Sequence, residues 1–99
     1  MSTNVADLIR RARAAFEVLA TTAEPVSDEF QYLADLETVW GARLAAVADA
    51  RGTEPGPPGA EEAIAALEAE VAAIADPHRA IDCMSTLPQV ALAALGEAA

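Results

Sequence analysis

The chain has no lysine, a single cysteine, a single histidine, and only four aromatic side chains in 99 residues: Phe16, Phe30, Tyr32 and Trp40. Each scarcity excludes something. The lone Cys83 forms no internal disulfide. Because no basic segment leads into an apolar stretch at the N-terminus, the chain reads as a cytoplasmic protein of a reducing compartment. No apolar run approaches the ~18 residues that span a bilayer. Six arginines stand against sixteen carboxylates, a formal net charge of −10. That field repels phosphate backbones and anionic lipid surfaces, so neither a nucleic acid nor a membrane is expected as partner, whereas a basic protein is compatible.

What the chain has in abundance is alanine, 26 residues of it. Alanine loses no side-chain entropy in a helix but fills little volume, so helices faced with it approach closely and the few large residues must anchor them. No strand alternation is visible, and the fold class reads as all-α: a compact helical bundle in one domain, residues 1–99, of three main helices plus a short helix and a C-terminal helix. The first helix, over 4–22, carries Val5, Leu8, Ile9, Ala12, Phe16, Leu19 and Ala23 on one stripe, with Thr3 or Asn4 as cap and Asp7 in the first turn. A second, over 28–51, opens on Asp28 and Gln31 at capping-box spacing and places Phe30, Leu33, Leu36, Trp40, Leu44 and Val47 on one face. Gly41 lies inside that stripe and reads as helical, a point where another backbone comes close beside the Trp40 ring. These two helices are expected to form an antiparallel hairpin centred on Phe16, Leu19, Phe30, Leu33 and Trp40.

The stretch GTEPGPPG at 52–59 admits no helix and reads as a semi-rigid connector between an N-terminal hairpin and a C-terminal helical half. A third helix, over 60–75, carries Ile64, Leu67, Val71 and Ile74 at coiled-coil steps with only Ala and Glu elsewhere. Such a narrow seam must pack along the second helix or against another chain. Beyond it, a short helix over 77–85 and a terminal helix near 88–97 are expected, separated by Thr86-Leu87-Pro88-Gln89. The terminal helix is apolar on all sides.

Candidate chemistry concentrates in DPHRAIDCM, residues 76–84. Asp76-Pro77 is a helix start. His78 and Asp82 then share a face four residues apart, where they form the one candidate acid/base pair, and Arg79 is placed to lower the Cys83 thiol pKa. Cys83 is five residues from His78, about 140° around the helix, so the two do not face each other as a nucleophilic pair. A transition-metal site needs three or four convergent ligands, and the Glu-x-x-His pairs of di-iron bundles are missing; no metal and no cofactor are expected. Arg10, Arg11 and Arg13, with Arg79, are candidate anion contacts, although Asp7 and Glu17 at helical spacing also suit them for ion pairing along the helix.

The function these patterns favour is a non-enzymatic interaction or assembly module, either a homo-oligomer or the partner of another protein. Its candidate interface is Ile64, Leu67, Val71 and Ile74 with Val90, Leu92 and Leu95. A small enzyme or ligand-binding protein using His78 and Asp82 in an inter-helix pocket is the alternative, and a thiol-based sensor at Cys83 a further one.

Overall fold

The computed structural model describes residues 3–26 and 30–97, and for residues 30–34 and 36 the backbone alone. Four helices follow one another: α1 (Val5–Ala23), α2 (Phe30–Arg51), α3 (Ala60–Ala73) and α4 (Pro77–Ala94). Together they make an all-α four-helix bundle of 39 × 25 × 18 Å. α1 lies at the centre and packs against the other three. α4 lies along α1 and also touches α2 and α3, while α2 and α3 barely meet.

The α1 stripe read from sequence is the heart of the core: Val5, Leu8, Phe16 and Leu19 are fully buried, joined by Leu44, Ile64, Met84, Leu87 and Leu95. The Phe16 and Trp40 rings meet at a centroid distance of 5.0 Å with a 45° tilt, anchoring α2 on α1. A tilted pair at this range adds about 0.5–1.5 kcal/mol beyond its buried area. The side chains of Phe30, Leu33 and Leu36, and the Asp28 cap, lie outside the described residues.

The connector is docked rather than free. Its carbonyls accept from the start of α1: Val5 N–H donates to Glu54 O at 2.9 Å and Ala6 N–H to Gly52 O at 3.1 Å. Asn4 Oδ1 takes Asp7 N–H at 2.9 Å, and Gly56 N–H returns to Thr3 O at 2.9 Å. Three otherwise orphaned N–H groups of the helix terminus are thereby satisfied. Docking also delivers the chain to α1's side, so α3 starts against α1 and packs on α1 and α4. The expectation that α3 runs along α2 is corrected accordingly.

A second correction concerns the C-terminal half. The expected short helix and terminal helix are one continuous α4, with Pro88 inside it. An interior proline forfeits one hydrogen bond and costs about 3 kcal/mol. The stripe Ala80, Ile81, Met84, Leu87, Pro88, Ala91 and Leu92 is buried along its whole length, and breaking the helix would expose half of it. Thr86 does not cap a new helix; its Oγ1 donates to Cys83 O, as Ser85 Oγ does to Ile81 O. α4 ends in a Schellman motif: Gly96 takes φ 78°, Gly96 N–H donates to Ala93 O and Glu97 N–H to Leu92 O. Arg51, at the end of α2, ties this terminus down through Leu95 O and Glu97.

Candidate functional site

The DPHRAIDCM stretch resolves into a helix start and a core edge. Asp76 caps α4, its Oδ1 accepting from His78 N–H at 3.3 Å. His78, Arg79 and Asp82 are exposed. Among the described residues no hydrogen bond or ion pair joins His78 to Asp82. Cys83 is 9% exposed and packs with the core. Burial pushes its thiol pKa up, the Glu70 carboxylate adds to that rise, and Arg79 opposes both. A shallow groove of about 240 Å³ runs past it, lined by Glu70, Ile74, Arg79, Asp82 and Thr86. Among the described residues no group of three or more His, Cys, Asp or Glu side chains could hold a metal ion.

The expected interface residues are placed in the monomer's own core. Ile64, Leu67, Val71, Leu92 and Leu95 are buried and Ile74 is half-buried; only Val90, at 46%, is exposed. α3's seam packs against α1 and α4, and of its residues Val71 also lines the edge of a surface cleft between α1 and α3.

The arginines part company. Arg10 pairs with Asp7 on its own helix. Arg11 leaves α1 for α3, donating Nη2 to Glu68 Oε1 and Nε to both carboxylate oxygens, with Glu61 at 3.8 Å. The hydrogen bond from Arg11 holds the Glu68 carboxyl below the ordinary glutamate range against a desolvation effect of opposite sign. Arg13 has no ion-pair or hydrogen-bond partner among the described residues, contrary to the expected pairing with Glu17. Arg79 is likewise without an ion pair among them.

A surface that pattern reading did not find emerges from these placements. Since α2 and α3 flank α1 without closing over it, α1 presents Arg10, Arg13, Ala14, Glu17 and Val18 to solvent. On the α3 side, Ala14, Ala15, Val18, Val71 and Ala72 line an apolar cleft of about 210 Å³, with the Arg11–Glu68 pair at one end. Val18 stands 51% exposed there.

On the α2 side, Arg13, Phe16, Glu17, Glu37, Trp40 and Gly41 line a notch of about 10 Å³, room for a single oxygen atom. Trp40 is 4% exposed, and its indole Nε1 is buried with no hydrogen-bond partner among the described residues. Such an unsatisfied donor costs about 1–3 kcal/mol. Among the described residues, a Cβ built on Gly41 would meet only the Arg13 Nη2, at 3.7 Å. The close backbone neighbour expected beside Trp40 is not found among the described residues.

Comparison with protein-family models, with curated proteins and with solved structures finds no match for this chain. No helix among the described residues is long and apolar enough to cross a membrane.

Proposed function

We propose that the protein is a non-enzymatic interaction module whose docking surface is the open face of α1, and whose partner is a basic amphipathic helix of another protein. The apolar cleft between α1 and α3 carries this reading: Val18 stands exposed over Ala14, Ala15, Val71 and Ala72, beside the Arg11–Glu68 pair. A helix inserting apolar side chains there buries area that the monomer leaves in water. Charge decides the occupant. α3's charged residues are all glutamates, Glu61, Glu62, Glu68 and Glu70, on a chain of net charge −10. A second copy meets the same sign, whereas a cationic helix is drawn in and oriented.

The test is selection from a displayed library of random helical peptides, with native mass spectrometry of the protein alone. Cationic amphipathic sequences are expected to be enriched and to lose binding to Val18→Asp. Enrichment of neutral or acidic sequences, binding indifferent to Val18→Asp, or a homodimer abolished by that substitution would each overturn the reading.

A further inference from the structure

The outer face of α4 stands apart in charge. From Cys83 to Gly96 the chain runs fourteen residues without a charged side chain, and no other uncharged run exceeds six. Ser85, Thr86, Gln89, Val90 and Ala93 lie exposed within it, at helical steps of three and four that put them on one strip. Two further features ease the removal of water from this strip. Val90, at its middle, leaves 46% of its surface exposed. The two hydroxyls are already satisfied inside the helix, Ser85 Oγ donating to Ile81 O at 3.2 Å and Thr86 Oγ1 to Cys83 O at 3.2 Å, so covering them strands neither donor.

We propose that this strip is a homodimer face, on which α4 of a second copy packs antiparallel about a two-fold axis at Pro88. Charge selects the occupant. Each copy carries −10, and two such molecules avoid setting carboxylates against carboxylates only where the meeting surfaces are neutral. The ends of the helix select the direction. Arg79 stands in the first turn of α4, at the positive end of its own helix dipole, exposed and without an ion pair among the described residues. The last turn holds no basic residue. Arg79 and Glu97 are equally far from Pro88 in sequence, so the antiparallel pair brings each Arg79 to the negative end of the other helix, twice per dimer. The same register sets Val90 against the partner's Thr86 and Asp82 against the neutral end of the other helix. A parallel pair would set each of these charges against itself. The strip from Asp82 to Ala93 is about 18 Å long on a helix about 10 Å across, well short of the ~800 Å² per partner of a standard interface. The dimer is therefore a weak one, formed at micromolar concentrations and above.

Sedimentation equilibrium of the full chain from about 10 µM to about 1 mM, with an ¹⁵N dilution series over the same range, tests the face. A monomer–dimer equilibrium is expected, with concentration-dependent shifts confined to the amides of residues 79–97. Val90→Asp and Gln89→Glu change exposed side chains and are expected to weaken the dimer at least tenfold while leaving the thermal melt of the monomer in place. The second keeps the shape of the face and alters charge alone. Val18→Asp is expected to leave the dimer intact. A monomer at every concentration, a dimer as strong in both α4 variants as in the wild type, or a dimer lost in Val18→Asp would each overturn the proposal. The measurement uses no peptide, so a failed peptide selection at the α1–α3 cleft leaves this outcome untouched, and the reverse also holds.

Discussion

The closed end of the bundle, where the connector docks onto α1, and its open flank, where α1 faces solvent between α2 and α3, use glycine for opposite reasons. At the closed end the chain itself occupies the space. A Cβ on Gly52 would lie 2.3 Å from Ala48 O, and one on Gly56 would lie 2.6 Å from Leu8 Cδ1. On the open flank, a Cβ on Gly41 would meet only the Arg13 Nη2 among the described residues, at 3.7 Å. A glycine required by packing belongs to the fold, whereas a helical glycine that packing ignores is a standing cost of about 0.5–1 kcal/mol relative to alanine. The same contrast holds for polar groups. The α1 N-terminus has its donors satisfied by Glu54 O, Gly52 O and Asn4 Oδ1, while the Trp40 indole is buried without an acceptor among the described residues.

Gly52→Ala should break the closed end, and it carries the largest expected effect. The obstructing atom is a helix carbonyl rather than a flexible side chain, so the connector must move and the hydrogen bond from Gly52 N–H to Ala48 O, 2.8 Å, is strained with it. A loss of about 1–3 kcal/mol is expected. In a domain of this size each kcal/mol lowers Tm by about 4–8 °C, read by calorimetry or circular dichroism. Gly41→Ala should move stability the other way, raising it by about 0.5–1 kcal/mol. If both substitutions destabilise, the two ends do not differ as argued, and Gly41 serves the fold after all.

Much of this architecture was legible from side-chain spacing. The α1 stripe, the Asn4 cap, the Asp76-Pro77 start of α4 and the apolar seam of α3, though not that it faces this chain's own core, follow from local pattern, because each is decided within one or two helical turns. Two things were not. Pro88 is a strong local stop signal, and it was overridden by burial of Leu87, Ala91 and Leu92 on the same face as Met84, an energy that exists only once α1 is in place. The partner of α3 was equally hidden, since a seam of Ile64, Leu67 and Val71 says that a helix faces it but not which one. The candidate site suffered most. Exposure of Val18, the freedom of Arg13 and the orphaned indole all depend on α2 and α3 standing apart, which no spacing in the sequence encodes. The rare residues drew attention to 76–84 instead, where the fold leaves His78 in water and Cys83 against the core.

The Arg11–Glu68 pair sets the α3 edge of the open flank, and its removal should have a smaller effect than the Gly52 change. Both side chains are about one-third exposed, at 32% and 39%, so solvent screens the pair. Glu68→Gln is expected to cost up to about 1 kcal/mol, less at high salt. The pH dependence follows from the depressed Glu68 pKa. The folded carboxyl binds protons less readily than the unfolded one, so this stabilisation is complete above the ordinary glutamate value of about 4.3 and is lost as pH falls through the lower folded value. The wild-type advantage over Glu68→Gln, measured by urea denaturation, should therefore vanish in acid; an advantage that persists there would mean the glutamine breaks packing rather than charge.

The smallest effect is expected where the sequence looked most chemical. His78→Ala should change stability by less than about 0.5 kcal/mol, because the imidazole is exposed and the bond that matters at this helix start runs from His78 N–H to Asp76, which alanine keeps. Asp76→Ala is the informative neighbour, since it removes the cap and should cost about 0.5–2 kcal/mol. Thiol labelling divides the same helix by depth. With its pKa raised by burial, Cys83 should react in the native protein only at the rate of opening, and rapidly once denaturant unfolds the chain. Fast labelling of the folded protein that slows in Arg79→Ala would put the thiolate within that arginine's field, and would move the chemistry of this molecule from the open flank of α1 to the outer edge of α4.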